Sequence, residues 1–313
     1  MKSLTSTQQI GKDDTNAWHY DKKTALMDLT RGSTTSTNIT LKTTTYPIRV
    51  STEKTALLII DMQNFFLHPA LRRQAGSQEP TLGEIAASTL LETGIPAARL
   101  HGIRVIWLNW GLTEQDLNTM PPGVLRTFGS FPMPSPESNV SLSSKPGMVR
   151  VKNPALYKGL GVELGAVDIG HGKNVQGGKI LMRDFWNTGI YGPLEEEFRR
   201  HCHISDSESD DKKKDVLIYK NRMSGLSGRE SDLENLLRRE GITLLLLAGV
   251  NTDQCVGSTL MDAYNKGFDC VLLCDGTATG SPFGAREAWE WNVTNCFGFV
   301  STCEALKESS AQF

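Results

Sequence analysis

Between residues 54 and 302 the chain alternates short continuous apolar runs with longer amphipathic segments. The runs are "TALLIID" (55–61), "IRVIWLNW" (103–110), "DVLIYK" (215–220), "TLLLLAGV" (243–250), "FDCVLLCDG" (268–276) and "NCFGFVST" (295–302). A strand with no polar face is covered on both sides, as happens when helices flank a parallel sheet. The intervening segments carry helix punctuation. In "RESDLENLLRREG", Ser231 and Glu234 have capping-box spacing and Gly241 supplies the stop. A further helix is predicted over roughly 254–266, closed by Gly267, and another ends at His101 and Gly102. The pattern predicts one doubly wound α/β domain over 51–305, a mostly parallel sheet of about six strands with helices on both faces.

Outside these runs the periodicity fades. Residues 1–50 are rich in Thr, Ser, Asn and Lys without a sustained period of 2 or 3.6, and read as a polar arm, flexible toward its start. Within it, "WHYDKKTALMDLTR" is the segment suited to docking on the body. Residues 111–190, rich in Pro, Ser and Gly, read as a loop-rich insertion over the site. "SDSESDDKKK" (205–214) reads as a charged surface loop and 306–313 as a tail.

Composition narrows the function by exclusion. The 313 residues carry 33 basic and 35 acidic side chains, which gives no electrostatic footprint for nucleic acid or an anionic membrane. "MKSLTSTQQIGKDDTN" lacks the apolar core of a secretory signal, and no run approaches the ~18 apolar residues of a membrane helix. A cytoplasmic protein is the expectation. Six cysteines at 202, 255, 270, 274, 296 and 303 form no CxxC pair, so neither a zinc ribbon nor a redox motif is supported.

Ligands of open α/β sheets bind outside the carboxyl ends of the strands. Three polar residues fall there: Asp61 after "ALLII", Lys220 after "DVLIY", and Cys255 just beyond "LLLLAGV". Singly, these have ordinary readings as a turn carboxylate, a solvent-facing amine and a packed thiol. Together on one sheet edge they favour catalysis. A helix N-terminus and a neighbouring ammonium favour a thiolate, and a carboxylate can accept its proton and later activate water. Backbone N–H groups at Cys255 and near Asn251 would receive the oxygen of a tetrahedral intermediate.

Other motifs lead elsewhere. "GHGKNVQGGKI" (170–180) has phosphate-loop spacing at Gly172 and Gly177, but Gly178 stands where the loop needs Lys, so it reads as a flexible loop. In "RHCHIS", His201 and His203 would share one face of a strand, yet no third ligand is near in sequence, so a surface or partly packed pair is expected. Cys270 and Cys274 read as core.

"LLIIDMQNFF", "YKNRMSGL" and "LAGVNTDQCVGSTLMDAYNKGFDCVLLCDGTAT", in this order and spacing, resemble the isochorismatase-like cysteine hydrolases over roughly residues 54–302. The resemblance implies a six-stranded Rossmann-like sheet, an Asp61–Lys220–Cys255 triad, and a cis peptide between Val250 and Asn251 that helps form the oxyanion hole with Cys255. Isochorismatases proper lack the cysteine, so Cys255 implies cleavage of a C–N bond in a small amide or ureido compound through a thioester. Nicotinamidases of this kind place an Asp-x-His segment and a further His after the second strand. Here that stretch is "LNWGLTEQDL", with no His, so no metal and no cofactor is expected. Likeness to ureidoacrylate and carbamoyl-type amidohydrolases points to Gln63, Asn64, Asn109, Trp110 and Trp186 as substrate-binding residues. Met223, also counted among the substrate-binding positions, stands where relatives often carry Tyr, which favours a less polar substrate or one bound differently. The resemblance also implies a homo-oligomer, a dimer or tetramer. The alternatives are an isochorismatase-type ether hydrolase and a non-catalytic binding or scaffold member of the fold.

Overall fold

Each of the six apolar runs contributes one strand to a central sheet. The computed structural model describes residues 6–33, 37–73, 77–129, 153–202 and 214–312. In chain order the strands are β1 (Thr55–Ile60), β2 (Arg104–Trp110), β3 (Val216–Lys220), β4 (Leu244–Val250), β5 (Asp269–Ala278) and β6 (Phe299–Ser301). They pair in the order β3-β2-β1-β4-β5-β6, and every pair is parallel. β1, β2 and β4 are buried at every position, which is why their sequences show no polar face. Ala56, Leu58, Ile60, Ile106 and Leu108 pack into one core, while Leu57, Ile59, Val105 and Trp107 pack into the other. The strand order reverses between β1 and β4, so the ligand crevice of this topology opens at their carboxyl ends.

A glycine fixes the closeness of those two strands. Gly249 sits at φ +112°, pairs with Ile60, and any Cβ there would stand 2.0 Å from the Ile60 carbonyl oxygen. The last run is shorter as a strand than the pattern predicts. Val293–Phe297 form a helical turn continuing Ala285–Asn292, and only Phe299–Ser301 join the sheet.

The polar-arm reading of residues 1–50 is corrected. Thr7–Ile10, Trp18–Asp21, Leu26–Asp28, Ile48–Ser51, Asn38–Leu41 and Ala311–Gln312 build, in that order, a second six-stranded sheet. All its pairs are antiparallel except Leu26–Asp28 with Ile48–Ser51. The physical reason is burial: Met27, Leu29, Ile39, Leu41, Ile48 and Val50 share the core of Leu57 and Trp107. Arg31 reinforces the union, with Nη2 2.6 Å from Asp269 Oδ1, and the Trp18 indole donates to the same carboxylate at 3.1 Å. The expected tail is likewise structured, as a helix Cys303–Glu308 followed by the strand at 311–312.

Within 111–190 the described residues hold two short helices, Glu114–Asn118 and Pro122–Phe128, and a hairpin of Ala166–Gly170 with Lys173–Gln176. The phosphate-loop lookalike is this hairpin, turning at His171 and Gly172, both at positive φ. His201 lies in the last turn of a helix, Gly192–Cys202, rather than in a strand, because the amphipathic run before it continues unbroken. His203 and all of the charged loop but Lys214 lie outside the described residues. Among the described residues no helix is long and apolar enough to cross a membrane.

Candidate active site

Asp61, Lys220 and Cys255 come together at the carboxyl edge of the sheet. Asp61 follows β1 at φ +54°, a conformation L-residues seldom adopt, and its carboxylate is fully buried. Its Oδ2 lies 3.0 Å from the Nζ of Lys220, the last residue of β3, and its Oδ1 accepts the Trp110 backbone N–H at 3.2 Å. Cys255 stands in the helical turn Thr252–Val256 that follows β4, ahead of the helix Gly257–Asn265, and is 4% exposed. Its thiol stands near enough to Asp61 to feel the carboxylate's charge, and the Trp110 indole donates to Sγ at 3.4 Å. The Lys220 ammonium sits 4.1 Å from the Trp110 ring centroid. Trp110 therefore touches both cation and sulfur.

The resting protonation state differs from the thiolate that the position suggested. Burial, reinforced by the Asp61 charge, pushes the Cys255 thiol from the ordinary 9.0 up to about 12, against the opposing pull of Lys220 and the indole. Burial also raises Asp61, outweighing Lys220 and its hydrogen bonds. Desolvation wins at both groups. The thiol therefore keeps its proton beside the Asp61 side chain.

The turn that carries the cysteine is laced from the neighbouring strand end. The Val250–Asn251 peptide is cis. Asn251 Oδ1 accepts the Gly280 N–H at 3.1 Å, while Asp253 accepts the hydroxyls of Thr279 at 2.5 Å and Ser281 at 2.6 Å. Gln254 Nε2 donates to Ser281 Oγ at 3.0 Å. Asp253, Thr279 and Ser281 were not singled out in the sequence. The available signal was their place, immediately after β4 and β5 beside the Cys255 turn.

The proposed pocket residues divide. Gln63 is fully buried and commits its amide to the Trp110 and Thr188 carbonyls, each at 2.8 Å, and to the Trp110 N–H at 3.0 Å. It shapes the wall. Asn64 donates to the Trp186 carbonyl at 2.8 Å, and both line a cleft of about 410 Å³ with His68, Thr188 and Tyr219. His68 meets Trp186 edge-on at 4.9 Å. Met223 Sδ lies 3.8 Å from Cys255 Sγ, against the thiol itself. Asn109 is not brought to the trio: it shares the β2 face of Trp107, opposite Trp110. A second cleft of about 280 Å³ has Val250, Asn251, Arg72, Tyr157 and Thr279 in its walls.

Among the described residues no three His, Cys, Asp or Glu side chains are grouped to hold a metal ion. In "LNWGLTEQDL", Asp116 caps its own helix and ties it to the residue after β3: it accepts Thr113 N–H at 2.8 Å and Asn221 Nδ2 at 2.6 Å.

The chain is similar to the isochorismatase-like hydrolases: residues 203–305 match the Isochorismatase domain model. Among individual relatives, the ureidoacrylate amidohydrolase RutB of Azorhizobium caulinodans is 26% identical over 266 residues, 85% of this chain and 94% of that protein. The fold is shared with a cysteine hydrolase from Pseudomonas syringae pv. phaseolicola, at TM-score 0.52 and 16% identity over 82% of this chain and 92% of that one. It is shared also with the nicotinamidase PncA of Bacillus subtilis, at TM-score 0.50 and 22% identity over 80% of this chain and 99% of that one.

Proposed function

We propose that the protein is a cysteine amidohydrolase that cleaves a C–N bond of a small amide or ureido compound. The observation that carries this reading is the convergence at one sheet edge of an Asp61 carboxylate held 3.0 Å from Lys220 and a Cys255 thiol, with Trp110 in contact with all three. The RutB relative supports the substrate class, since its name describes hydrolysis of a ureido compound.

In the proposed reaction the Cys255 proton passes to Asp61 as Sγ attacks the carbonyl carbon. The N–H groups of Asn251 and Cys255 receive the oxyanion. The tetrahedral adduct collapses, Asp61 returns the proton to the departing nitrogen, and a thioester remains. Asp61 then takes a proton from water, whose oxygen attacks the thioester, and Sγ leaves and is reprotonated. With a ureido substrate the released carbamate decomposes to carbon dioxide and ammonia. Lys220 holds the carboxylate in place and offsets its charge, and Trp110 holds the sulfur.

The test is ammonia release from a panel of amides and ureides. Wild type is expected to release ammonia from at least one member. Cys255→Ala is expected to release none while keeping its circular dichroism spectrum; turnover retained by that variant refutes the nucleophile.

A further inference from the structure

Trp110 is the last residue of β2 and is fully buried. Three different parts of it meet the trio. Its backbone N–H donates to Asp61 Oδ1 at 3.2 Å, its indole N–H donates to Cys255 Sγ at 3.4 Å, and the Lys220 ammonium sits 4.1 Å from its ring centroid. Phe128 packs edge-on against the ring at 5.0 Å, and Gln63 binds the Trp110 carbonyl at 2.8 Å and its backbone N–H at 3.0 Å. The indole is thus fixed in place, with its one polar hydrogen on sulfur. A buried N–H that finds only a poor acceptor gives up stability. A protonated thiol is such an acceptor, whereas hydrogen bonds to a charged group are about twice as strong. The contact therefore strengthens as the thiol proton leaves, and only interactions of that kind accelerate a chemical step. The charges acting on the sulfur are those of Asp61 and Lys220, which oppose each other, and the indole pulls the same way as Lys220.

We propose that the Trp110 indole N–H stabilises the negative charge that builds on the Cys255 sulfur, which makes Trp110 a catalytic residue and not a wall of the substrate pocket. Its place in turnover rests on the amidohydrolase reading; its effect on the sulfur rests on the contact alone. Sγ gives its proton to Asp61 and the indole keeps its own, so no proton passes through Trp110. Lys220 sharpens the donor, because a cation over the ring face draws electron density from it and interactions in series polarise one another. The ammonium therefore acts on the sulfur through the ring as well as directly.

The test removes the donor and keeps the shape. In the full chain, Trp110→3-benzothienylalanine puts a ring sulfur where the indole has its N–H, and Trp110→Phe removes the N–H with part of the ring. Each protein is labelled with iodoacetamide between about pH 6 and 9, and mass spectrometry of the Cys255 peptide gives the rate at that sulfur. The benzothienyl variant is expected to react about 10-fold more slowly, which displaces its profile upward by about one pH unit. For a substrate found in the amide panel, kcat should fall about 10-fold while KM stays within about twofold. Thermal midpoints establish that each variant is folded, and the isosteric variant decides if the smaller Phe ring loosens the packing. An unchanged labelling rate in the isosteric variant, no labelling of Cys255 in wild type, or a rise in KM at constant kcat overturns the proposal. If wild type hydrolyses no panel member, slower labelling still upholds the effect of the indole on the sulfur while the hydrolase reading falls. Wild-type turnover with unchanged labelling in the variant does the reverse.

Discussion

At the scale of single residues, burial sets the chemistry. Lys220 and Asp61 hold each other inside the protein, so Lys220→Met should strand a buried carboxylate and cost about 3–5 kcal/mol, measured by urea denaturation. A loss below about 1 kcal/mol would mean that the carboxylate is already neutral at rest. The thiols give a pH signature. Burial raises Cys255 to about 12 and also raises Cys270 and Cys303. A group that keeps its proton longer when folded stabilises the fold below its unfolded value and loses that contribution as pH climbs toward the folded one. The denaturation midpoint should therefore fall from about pH 9 upward, and Cys270→Ala should make the decline shallower; an identical slope would remove that thiol from the account. Asp61, Lys220 and Cys255 were legible in the sequence because each is polar at the end of an apolar run. The high thiol pKa was not, since it depends on how completely Trp110, Met223 and the sheet exclude water.

At the scale of elements, two contacts place the Cys255 turn. Gly249 lets β4 lie against Ile60, and Gly249→Ala should cost more than about 4 kcal/mol or prevent folding, because both φ and space forbid the methyl. Near-normal stability of that variant would mean the strands separate easily. The Asp253 bonds to Thr279 and Ser281 tie the turn to the end of β5. Asp253→Ala should lower kcat about 100-fold through a small misplacement of the thiol, with KM little changed; a rise in KM at constant kcat would assign Asp253 to substrate binding. The central strands were legible because each is a continuous apolar run. The Asp253 lacing was not, since it joins side chains more than twenty residues apart that no local pattern links.

At the scale of the whole molecule, the second sheet is part of the core. Its strands span two to four residues, so each alone gives too short an alternation to read. Its pairing also joins residues near both ends of the chain, Asn38–Ile39 with Ala311–Gln312. Long-range closure of that kind leaves no trace in local periodicity. Deleting residues 1–51 should uncover Leu57, Ile59, Val105 and Trp107 and yield a chain that aggregates or melts well below the full protein; an unchanged melting temperature would return these residues to the status of an arm. The account as a whole depends on a covalent bond to one sulfur. Acid quenching during turnover of a substrate found in the amide panel, followed by peptide mass spectrometry, should reveal the acyl mass on the peptide containing Cys255 and no such mass in Asp61→Asn. Continued turnover with no adduct on Cys255, or with the adduct on another residue, would contradict it.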